Sequence, residues 1–334
     1  MAATALTKAD FQSDQETRWC PGCGDYAVLA AVQGFFPELG IPPERIVFVS
    51  GIGCAGRFAY YMDTYGMHGI HGRGPALATG LAAARDDLSI WVVTGDGDAL
   101  SIGGNHLIHA LRRNVPLKIL LFNNQIYGLT KGQASPTSEL GKVTKSTPFG
   151  SIDGPFNPLS LALGAEATFV ARTIDTDKQH LAAMLRAAAT HEGAALVEIY
   201  QNCPVFNDGA FDALRDRKRG AVNRILLEHG RPVRSHEYGV VRDGDGGLRL
   251  VALADVREEK LLVHDAHRED PSLAFALTRL SSSPDGPTPI GIFRQVSRPV
   301  SGRELSLELA AARAHADDAS LDAVMRAGDT WTIS

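Results

Sequence analysis

The sequence predicts an α/β protein with a doubly wound, mostly parallel β-sheet and a small C-terminal extension. Short apolar runs are nearly continuous, as is typical of strands that are covered on both faces. These runs alternate with helix-like segments over roughly the first 200 residues, and such alternation produces parallel sheets. After Ser235 the pattern changes to short strands and turns, which predicts a separate extension.

Four strands and four helices follow one another along this part of the chain. The predicted strands are Ile46–Ser50, Ile90–Thr94, Leu117–Phe122 and Leu196–Tyr200. The predicted helices are Tyr26–Phe36, Pro75–Arg85, Ser101–Arg113 and Lys178–His191. Gly, Ser, Thr and Pro residues between Lys131 and Pro158 predict a long functional loop. Ligands of such sheets bind at the carboxyl ends of the strands, so the segments that follow the strands are candidate binding loops.

Composition excludes several classes of protein. The 334 residues carry a net charge of −5 and 44% hydrophobic residues, which argues against nucleic-acid binding, anionic-membrane binding and wholesale disorder. No apolar run approaches the roughly 20 residues that cross a bilayer. The segment Met1–Glu16 lacks the apolar region of a signal peptide. We therefore expect a cytoplasmic protein without a membrane or nucleic-acid partner.

All four cysteines lie in segments marked by glycine or proline. They are Cys20, Cys23, Cys54 and Cys203. A CxxC turn suits a shared metal centre, and four thiolates satisfy a [4Fe–4S] cluster, at which Cys-Pro is frequent. The spacing leaves three alternatives open: a zinc site that adds His68 and His71, a redox dithiol, and a buried apolar role for Cys54 and Cys203.

The motif Gly51-x-Gly53-x-x-Gly56 follows a predicted strand and matches the dinucleotide-binding fingerprint. That fingerprint requires an acidic residue about 20 positions further on, at the end of a second strand. The segment Gly69–Ala76 contains no acid there. Nicotinamide binding is therefore disfavoured, and Cys54 within the motif is better explained by the cysteine set.

Polar residues follow two neighbouring strands. Gly95–Asp98 (GDGD) follows one, and 25 residues separate Gly97 from the pair Asn123–Asn124. Carboxylate and amide oxygens suit Mg²⁺ bound together with phosphates, and glycines let the backbone approach a diphosphate. A helix starting at Ser101 would point its N-terminus at the same anion. GDG alone also fits a turn with a capping aspartate.

GDG followed by NN at this spacing resembles the thiamine-diphosphate enzymes. Within them, the chain resembles the β subunits of 2-oxoacid:ferredoxin oxidoreductases over Trp19–Val233, and more weakly over Leu261–Pro299. The matching motifs are WCPGCG, SGIGCAGR, HGIHGRGPALATG, GDGDALSIGGNHLIHALRRN, FNNQIYGLTKGQASPTS and QNCP. The segment NNQIYGLTKGQASPTS is most similar to the 2-oxoglutarate (2-ketoglutarate) type. The resemblance implies the thiamine-diphosphate-binding type of sheet.

The resemblance also implies three cofactors. One [4Fe–4S] cluster would be held by the four cysteines. The implied Mg²⁺ ligands are Asp96, Asn124 and the carbonyl of Ile126. The implied thiamine diphosphate contacts are Ile52, Gly53, Cys54, Ala55, His71, Gly72, Arg73, Gly74, Gly97, Asp98, Gly128 and Leu129.

The implied reaction is the oxidative decarboxylation of 2-oxoglutarate with coenzyme A to succinyl-CoA and CO₂, with electrons passing through the cluster to ferredoxin. His71 and Arg73 are candidate catalytic groups for the diphosphate or the substrate carboxylate. We hypothesise that Arg57 pairs with the distal carboxylate of 2-oxoglutarate. Their alternative roles are an ordinary loop histidine and exposed arginines.

The family's cofactor-activating carboxylate comes from an α subunit, and no segment of this chain is assigned to that role. We therefore expect an α2β2 assembly with residues 1–233 as the cofactor domain and residues 234–334 as an extension or interface region. Three other functions remain open: a related pyruvate or broad-specificity oxidoreductase, a cluster-free thiamine decarboxylase or carboligase, and a zinc-stabilised interaction subunit.

Overall fold

A large β-sheet forms the centre of the computed structural model, which describes residues 6–244, 247–280, 286–315, 320–329 and 331–333. In chain order the strands are β1 (Ile46–Ser50), β2 (Tyr65–His68), β3 (Ser89–Gly95), β4 (Leu117–Asn123), β5 (Phe169–Ile174), β6 (Ala195–Tyr200), β7 (Arg224–Leu227), β8 (Tyr238–Arg242), β9 (Leu248–Ala252) and β10 (Thr288–Gln295). Eight of them form one sheet in the order β2-β1-β3-β4-β6-β5-β10-β7. All neighbouring pairs are parallel except β5 and β10, which confirms the predicted fold class.

The helices cover both faces of this sheet. They are α1 (Asp25–Phe35), α2 (Gly74–Ala84), α3 (Asp96–Leu100), α4 (Gly104–Arg112), α5 (Pro158–Gly164), α6 (Lys178–Thr190), α7 (Asp212–Arg215), α8 (Arg217–Asn223), α9 (Ser272–Thr278), α10 (Ser301–His315) and α11 (Leu321–Met325). The helix expected to start at Ser101 begins three residues later, at Gly104, as α4. A separate short helix, α3, precedes it over Asp96–Leu100 and was not predicted. None of the described helices has both the length and the apolar character required to cross a membrane.

Alternating side chains of each central strand enter two separate cores. Val47 and Val49 of β1 belong to the core under α2 and α4, whereas Phe48 belongs to the core under α1 and α6. The same alternation holds in β3, where Trp91 is fully buried on the second side. Burial on both faces explains why these strands appear as continuous apolar runs in the sequence.

Four of the eight strands of the sheet were not predicted, namely β2, β5, β7 and β10, and two of them show different reasons. β2 is an edge strand whose four residues are all exposed, so it has no apolar pattern. β5 contains Arg172, which is buried beside Glu198 of the neighbouring β6, with Nε 2.7 Å from Oε2. The charge of Arg172 argued against a buried strand, because its ion-pair partner, Glu198, lies 26 residues away in the sequence.

The C-terminal region both joins the main sheet and forms a hairpin. β10 lies between β5 and β7, so the sheet crosses the division predicted at residue 233. β8 and β9 pair in an antiparallel hairpin, in agreement with the short strands and turns expected after Ser235; Asp245 and Gly246, between the two strands in sequence, lie outside the described residues.

The carboxyl ends of four adjacent parallel strands meet at one edge of the sheet. β1, β3, β4 and β6 are neighbours there, so the segments that follow Ser50, Gly95, Asn123 and Tyr200 lie side by side. The segment between β4 and α5 contains no helix or strand, which confirms the predicted long loop. The candidate site residues lie at this edge.

Candidate active site

A cavity of about 500 Å³ opens at this edge of the sheet. Of the residues predicted to bind a cofactor or metal, the cavity brings together Ile52, Gly53, Cys54, Ala55, His71, Asp96, Gly97, Asp98, Asn124, Ile126, Gly128 and Leu129. Four loops that are distant in sequence thus share one space, as expected for the carboxyl edge of a parallel sheet.

Asp98 holds two of these loops in place. Its Oδ1 accepts hydrogen bonds from Ile52 N (3.0 Å) and Gly72 N (2.7 Å), and His71 Nδ1 lies 2.8 Å away. Its Oδ2 accepts a hydrogen bond from the Thr94 hydroxyl at 2.7 Å. The side chain is only 2% exposed, so we assign Asp98 a positioning role in addition to its place in the cavity wall.

Two glycines of the predicted cofactor loops leave no room for a side chain. A Cβ on Gly97 would lie 2.2 Å from the ring of Tyr127, whose hydroxyl donates to Gly97 O. Gly72 has φ +71°, and a Cβ there would lie 2.6 Å from the backbone nitrogen of Gly103. Backbone that passes this closely to its neighbours requires glycine.

Asp96 and Asn124 present oxygen ligands to the cavity, while Asn123 faces away. Asp96 is buried, and burial raises the pKa of its carboxyl to about 6 even though two hydroxyl groups donate to it. Asn124 lines the cavity, whereas the Asn123 amide donates to Glu198 Oε1 at 2.7 Å. A carboxylate and an amide carbonyl are oxygen donors of the kind that Mg²⁺ prefers, so the residues fit this ion.

The cysteine segments converge beside Gly128. A Cβ at Gly128 would lie 3.4 Å from Cys203 Sγ and 3.7 Å from Cys54 Sγ, so the absence of a side chain keeps space beside both sulfurs. The loop that carries Cys20 and Cys23 is tied to the same region, because Gly24 N donates to Asn202 O at 3.1 Å. Gln201 Nε2 also lies 3.2 Å from Cys23 Sγ.

Two alternatives for the cysteines find no support in this geometry. His68 stacks on Tyr60, and His71 is bound to Asp98. Within the described ranges, no group of three or more His, Cys, Asp or Glu side chains is arranged to hold a single metal ion, which disfavours the zinc site. A cluster ligates each thiolate through a different iron, so its cysteines stand farther apart than the ligands of one ion.

Burial argues against a redox dithiol. It raises the pKa of the Cys23 thiol, and that of Cys54 to about 12, whereas reactive dithiols have lowered values. A thiol of this kind loses its proton when a metal centre binds it. The burial of Cys23 and Cys54 therefore fits metal ligation better than it fits a reactive pair.

The two candidate arginines lie outside the described residues that line the cavity. Arg57 Nη1 donates to the carbonyl of Arg18 at 2.8 Å, and Arg73 Nη1 donates to that of Ile102 at 3.2 Å. His71 is the catalytic candidate that lines the cavity. The catalytic roles of these three residues stay predictions.

Asp25 is a cavity residue that sequence reasoning missed. It is 1% exposed, and neither of its carboxylate oxygens has a hydrogen-bond partner among the described residues. Burial raises the pKa of this carboxyl to about 7. The neighbouring Cys23 thiol moderates this increase, so the acid stands between the cavity and the cysteine loop. The sequence signal was an acid directly after WCPGCG.

Comparison with known proteins agrees with this geometry. Residues 51–199 match the thiamine pyrophosphate enzyme family, C-terminal TPP binding domain. The 2-oxoglutarate oxidoreductase subunit KorB of Mycobacterium tuberculosis is 61% identical over 330 residues, which are 97% of this chain and 88% of that protein. The chain belongs to the β-subunit family of the 2-oxoacid oxidoreductases.

Other members of this family extend the comparison. The 2-oxoacid:ferredoxin oxidoreductase 1 subunit beta of Aeropyrum pernix is 44% identical over 200 residues, which are 60% of this chain and 63% of its own length. A solved structure of the 2-oxoglutarate:ferredoxin oxidoreductase from Magnetococcus marinus, with 2-oxoglutarate, coenzyme A and succinyl-CoA bound, matches with a TM-score of 0.77 at 31% identity. That match covers 97% of each chain.

Proposed function

We propose that the chain is the β subunit of a 2-oxoglutarate:ferredoxin oxidoreductase. It would convert 2-oxoglutarate and coenzyme A to succinyl-CoA and CO₂ and deliver the electrons to ferredoxin. The observation that carries this proposal is that Cys54 lines the same cavity as Asp96 and Asn124, so that an electron acceptor and an oxygen-ligand site share a wall. The names of the relatives support the choice of substrate.

Thiamine diphosphate would be held in this cavity through Mg²⁺ on Asp96, Asn124 and the carbonyl of Ile126. When bound, it supplies the stabilisation of negative charge that decarboxylation of a 2-oxo acid needs. The loops that begin at Ile52 and His71 would contact it, and Asp98 fixes both loops through hydrogen bonds from Ile52 N and Gly72 N. Tyr127 packs against Gly97 and closes the floor of the cavity.

The four cysteines would hold a [4Fe–4S] cluster that accepts the electrons. Cys54 would be a ligand of the cluster, and it also lines the cavity wall. Trp19 supports this loop, because its indole nitrogen donates to Cys54 O at 2.8 Å. Gln201 donates towards Cys23 Sγ, and hydrogen bonds to sulfur tune cluster potentials.

Membership of a β-subunit family implies an α subunit as partner. We propose that the α subunit supplies the carboxylate that activates the cofactor, in an α2β2 assembly with residues 234–334 available for contact. Ferredoxin is the proposed electron acceptor, and the proposed location is the cytoplasm, where thiols stay reduced.

Metal content tests the proposal. The chain is co-expressed with its α subunit, purified without oxygen, and assayed for iron, acid-labile sulfide and zinc. About four irons and four sulfides per β chain are expected, and 2-oxoglutarate with coenzyme A should bleach the visible absorption. Cys203→Ser should lose this iron, while Val205→Ala, an exposed change two residues away, should keep it.

Two results would contradict the proposal. About one zinc without sulfide would replace the cluster by a structural metal site. Bound thiamine diphosphate with turnover of the 2-oxo acid, but without iron, would instead identify a cluster-free decarboxylase or carboligase.

A further inference from the structure

We propose that Ser135 and Thr137 are positioning residues that orient Asp96 for its cation. The proposal deepens the function given above and rests on it, since it takes Asp96 as a Mg²⁺ ligand. It assigns a role to the segment ASPTS (134–138), which marks the sequence motif after β4 but which no cofactor prediction used.

Both hydroxyl groups contact the same carboxylate oxygen. Ser135 Oγ lies 2.5 Å from Asp96 Oδ2, and Thr137 Oγ1 lies 2.6 Å from the same atom. All three side chains are buried. Short hydroxyl-to-carboxylate contacts are the strong, charge-assisted kind. Two donors on Oδ2 fix the rotation of the carboxylate, and neither occupies Oδ1.

The donating segment is itself anchored to the loop that carries Asn124. Ser138 Oγ donates to the carbonyl of Gln125 at 2.6 Å and accepts a hydrogen bond from Ser135 N at 2.8 Å. The segment 135–138 therefore bridges the ends of β3 and β4. It fixes the carboxylate of Asp96 relative to the loop that supplies the second oxygen ligand.

Buried polar side chains of β4, β5 and β6 form a hydrogen-bonded chain that ends at Thr137. Thr137 Oγ1 is 3.0 Å from Asn123 Oδ1, and the Asn123 amide donates to Glu198, which also accepts from Arg172. The Thr137 hydroxyl has one proton, and the carboxylate is the stronger of its two acceptors. Asn123 thus limits where the hydroxyl can lie without taking its proton away from Asp96.

The consequence for the cation follows from the chemistry of ligating carboxylates. A carboxylate that is already oriented and hydrogen-bonded loses less conformational freedom when it binds a metal ion. Loss of a hydrogen-bond partner of a metal ligand typically lowers metal affinity about 10- to 100-fold. Without the hydroxyls, the buried carboxylate would keep its desolvation cost and lose its alignment. Mg²⁺, which demands near-ideal octahedral geometry, is sensitive to this loss.

The test compares Thr137→Val with Thr137→Ser in the αβ complex. Valine keeps the shape and removes the hydroxyl, whereas serine keeps the hydroxyl. Binding of thiamine diphosphate is measured by equilibrium dialysis at increasing Mg²⁺ concentrations. We expect the Mg²⁺ concentration for half-maximal binding to rise about tenfold or more in Thr137→Val and to stay close to wild type in Thr137→Ser.

The outcomes separate this inference from the proposed function. Wild-type complex that binds no thiamine diphosphate at any Mg²⁺ concentration would overturn the function itself. Normal binding with an unchanged Mg²⁺ requirement in Thr137→Val would overturn only the positioning role, and so would a lowered melting temperature without a shift in that requirement. If Thr137→Val does not fold, Ser135→Ala decides by the same measurement.

Discussion

Removal of the Asp98 carboxylate should loosen both loops over the cavity. Asp98→Ala takes the acceptor away from Ile52 N, Gly72 N, the His71 ring and the Thr94 hydroxyl. Gly72 and Thr94 are buried, whereas Ile52 and His71 are partly exposed. The exposed pair can bind water instead. Of the buried pair, Gly72 N loses its acceptor, and the Thr94 hydroxyl keeps only a long contact of 3.4 Å to Gly95 O.

The cost follows from the two buried donors. A buried donor without a partner costs about 1–3 kcal/mol, so the pair costs about 4 kcal/mol in unfolding free energy. This is a large share of the roughly 5–15 kcal/mol that stabilises a typical protein. Asp98→Asn keeps an acceptor for the Oδ1 donors, so we expect a loss of only about 1–2 kcal/mol.

Urea denaturation of the full-length chain, followed by circular dichroism, measures these differences. Asp322→Ala is a matched control, because it removes the same side chain from an exposed position on α11 and should cost less than about 1 kcal/mol. A cost below about 1 kcal/mol for Asp98→Ala, or equal costs for the alanine and asparagine variants, would refute the positioning role.

Three further predictions concern backbone geometry, pH and specificity. Gly72→Ala should cost about 2 kcal/mol or more in urea denaturation, because φ is +71° and a Cβ meets Gly103 N; Gly80→Ala, with open space around it, should be neutral or stabilising. Burial lowers the pKa of His191 to about 4. As the pH falls from 7 to 4, this histidine therefore becomes protonated in the unfolded chain but stays largely neutral in the folded chain. The unfolding free energy should fall by about 2–3 kcal/mol over this range, and this fall should be absent in His191→Gln. Arg57→Ile tests the substrate hypothesis: an unchanged ratio of 2-oxoglutarate to pyruvate turnover would reject a contact with the distal carboxylate.

Local patterns were sufficient for much of the sheet. The four predicted strands occur within a residue of their predicted bounds. A strand that is buried on both faces needs apolar residues at almost every position, so it appears in the sequence as a continuous apolar run. The edge of the sheet that carries the site followed from this pattern, since parallel strands bring their carboxyl ends together. Asp96, Asn124 and Cys54 could therefore be assigned to one place before any contact was known.

Partners that are distant in sequence were outside the reach of these patterns. β5 was missed because Arg172 is neutralised by Glu198 across the sheet. The start of α3 at Asp96 was missed because GDGD was assigned to a binding loop between the strand and a helix that begins at Ser101. Arg57 was favoured for its charge and its place three residues after Cys54, yet its guanidinium is held by the carbonyl of Arg18.

The sequence by itself determined the parallel α/β sheet, the loops at its carboxyl edge and the set of candidate oxygen and sulfur ligands that those loops carry. The tertiary structure alone decided which side chains complete the site: the orphaned carboxylate of Asp25, the four hydrogen bonds to Asp98, and the hydroxyls of Ser135 and Thr137 on Asp96. The physical reason is that periodicity and turn chemistry act between near neighbours in the chain. Thr94 lies only four residues from Asp98, but the other three donors to Asp98 lie 26 to 46 residues away and the two donors to Asp96 lie 39 to 41 residues away, so these bonds depend on where folding places the donors.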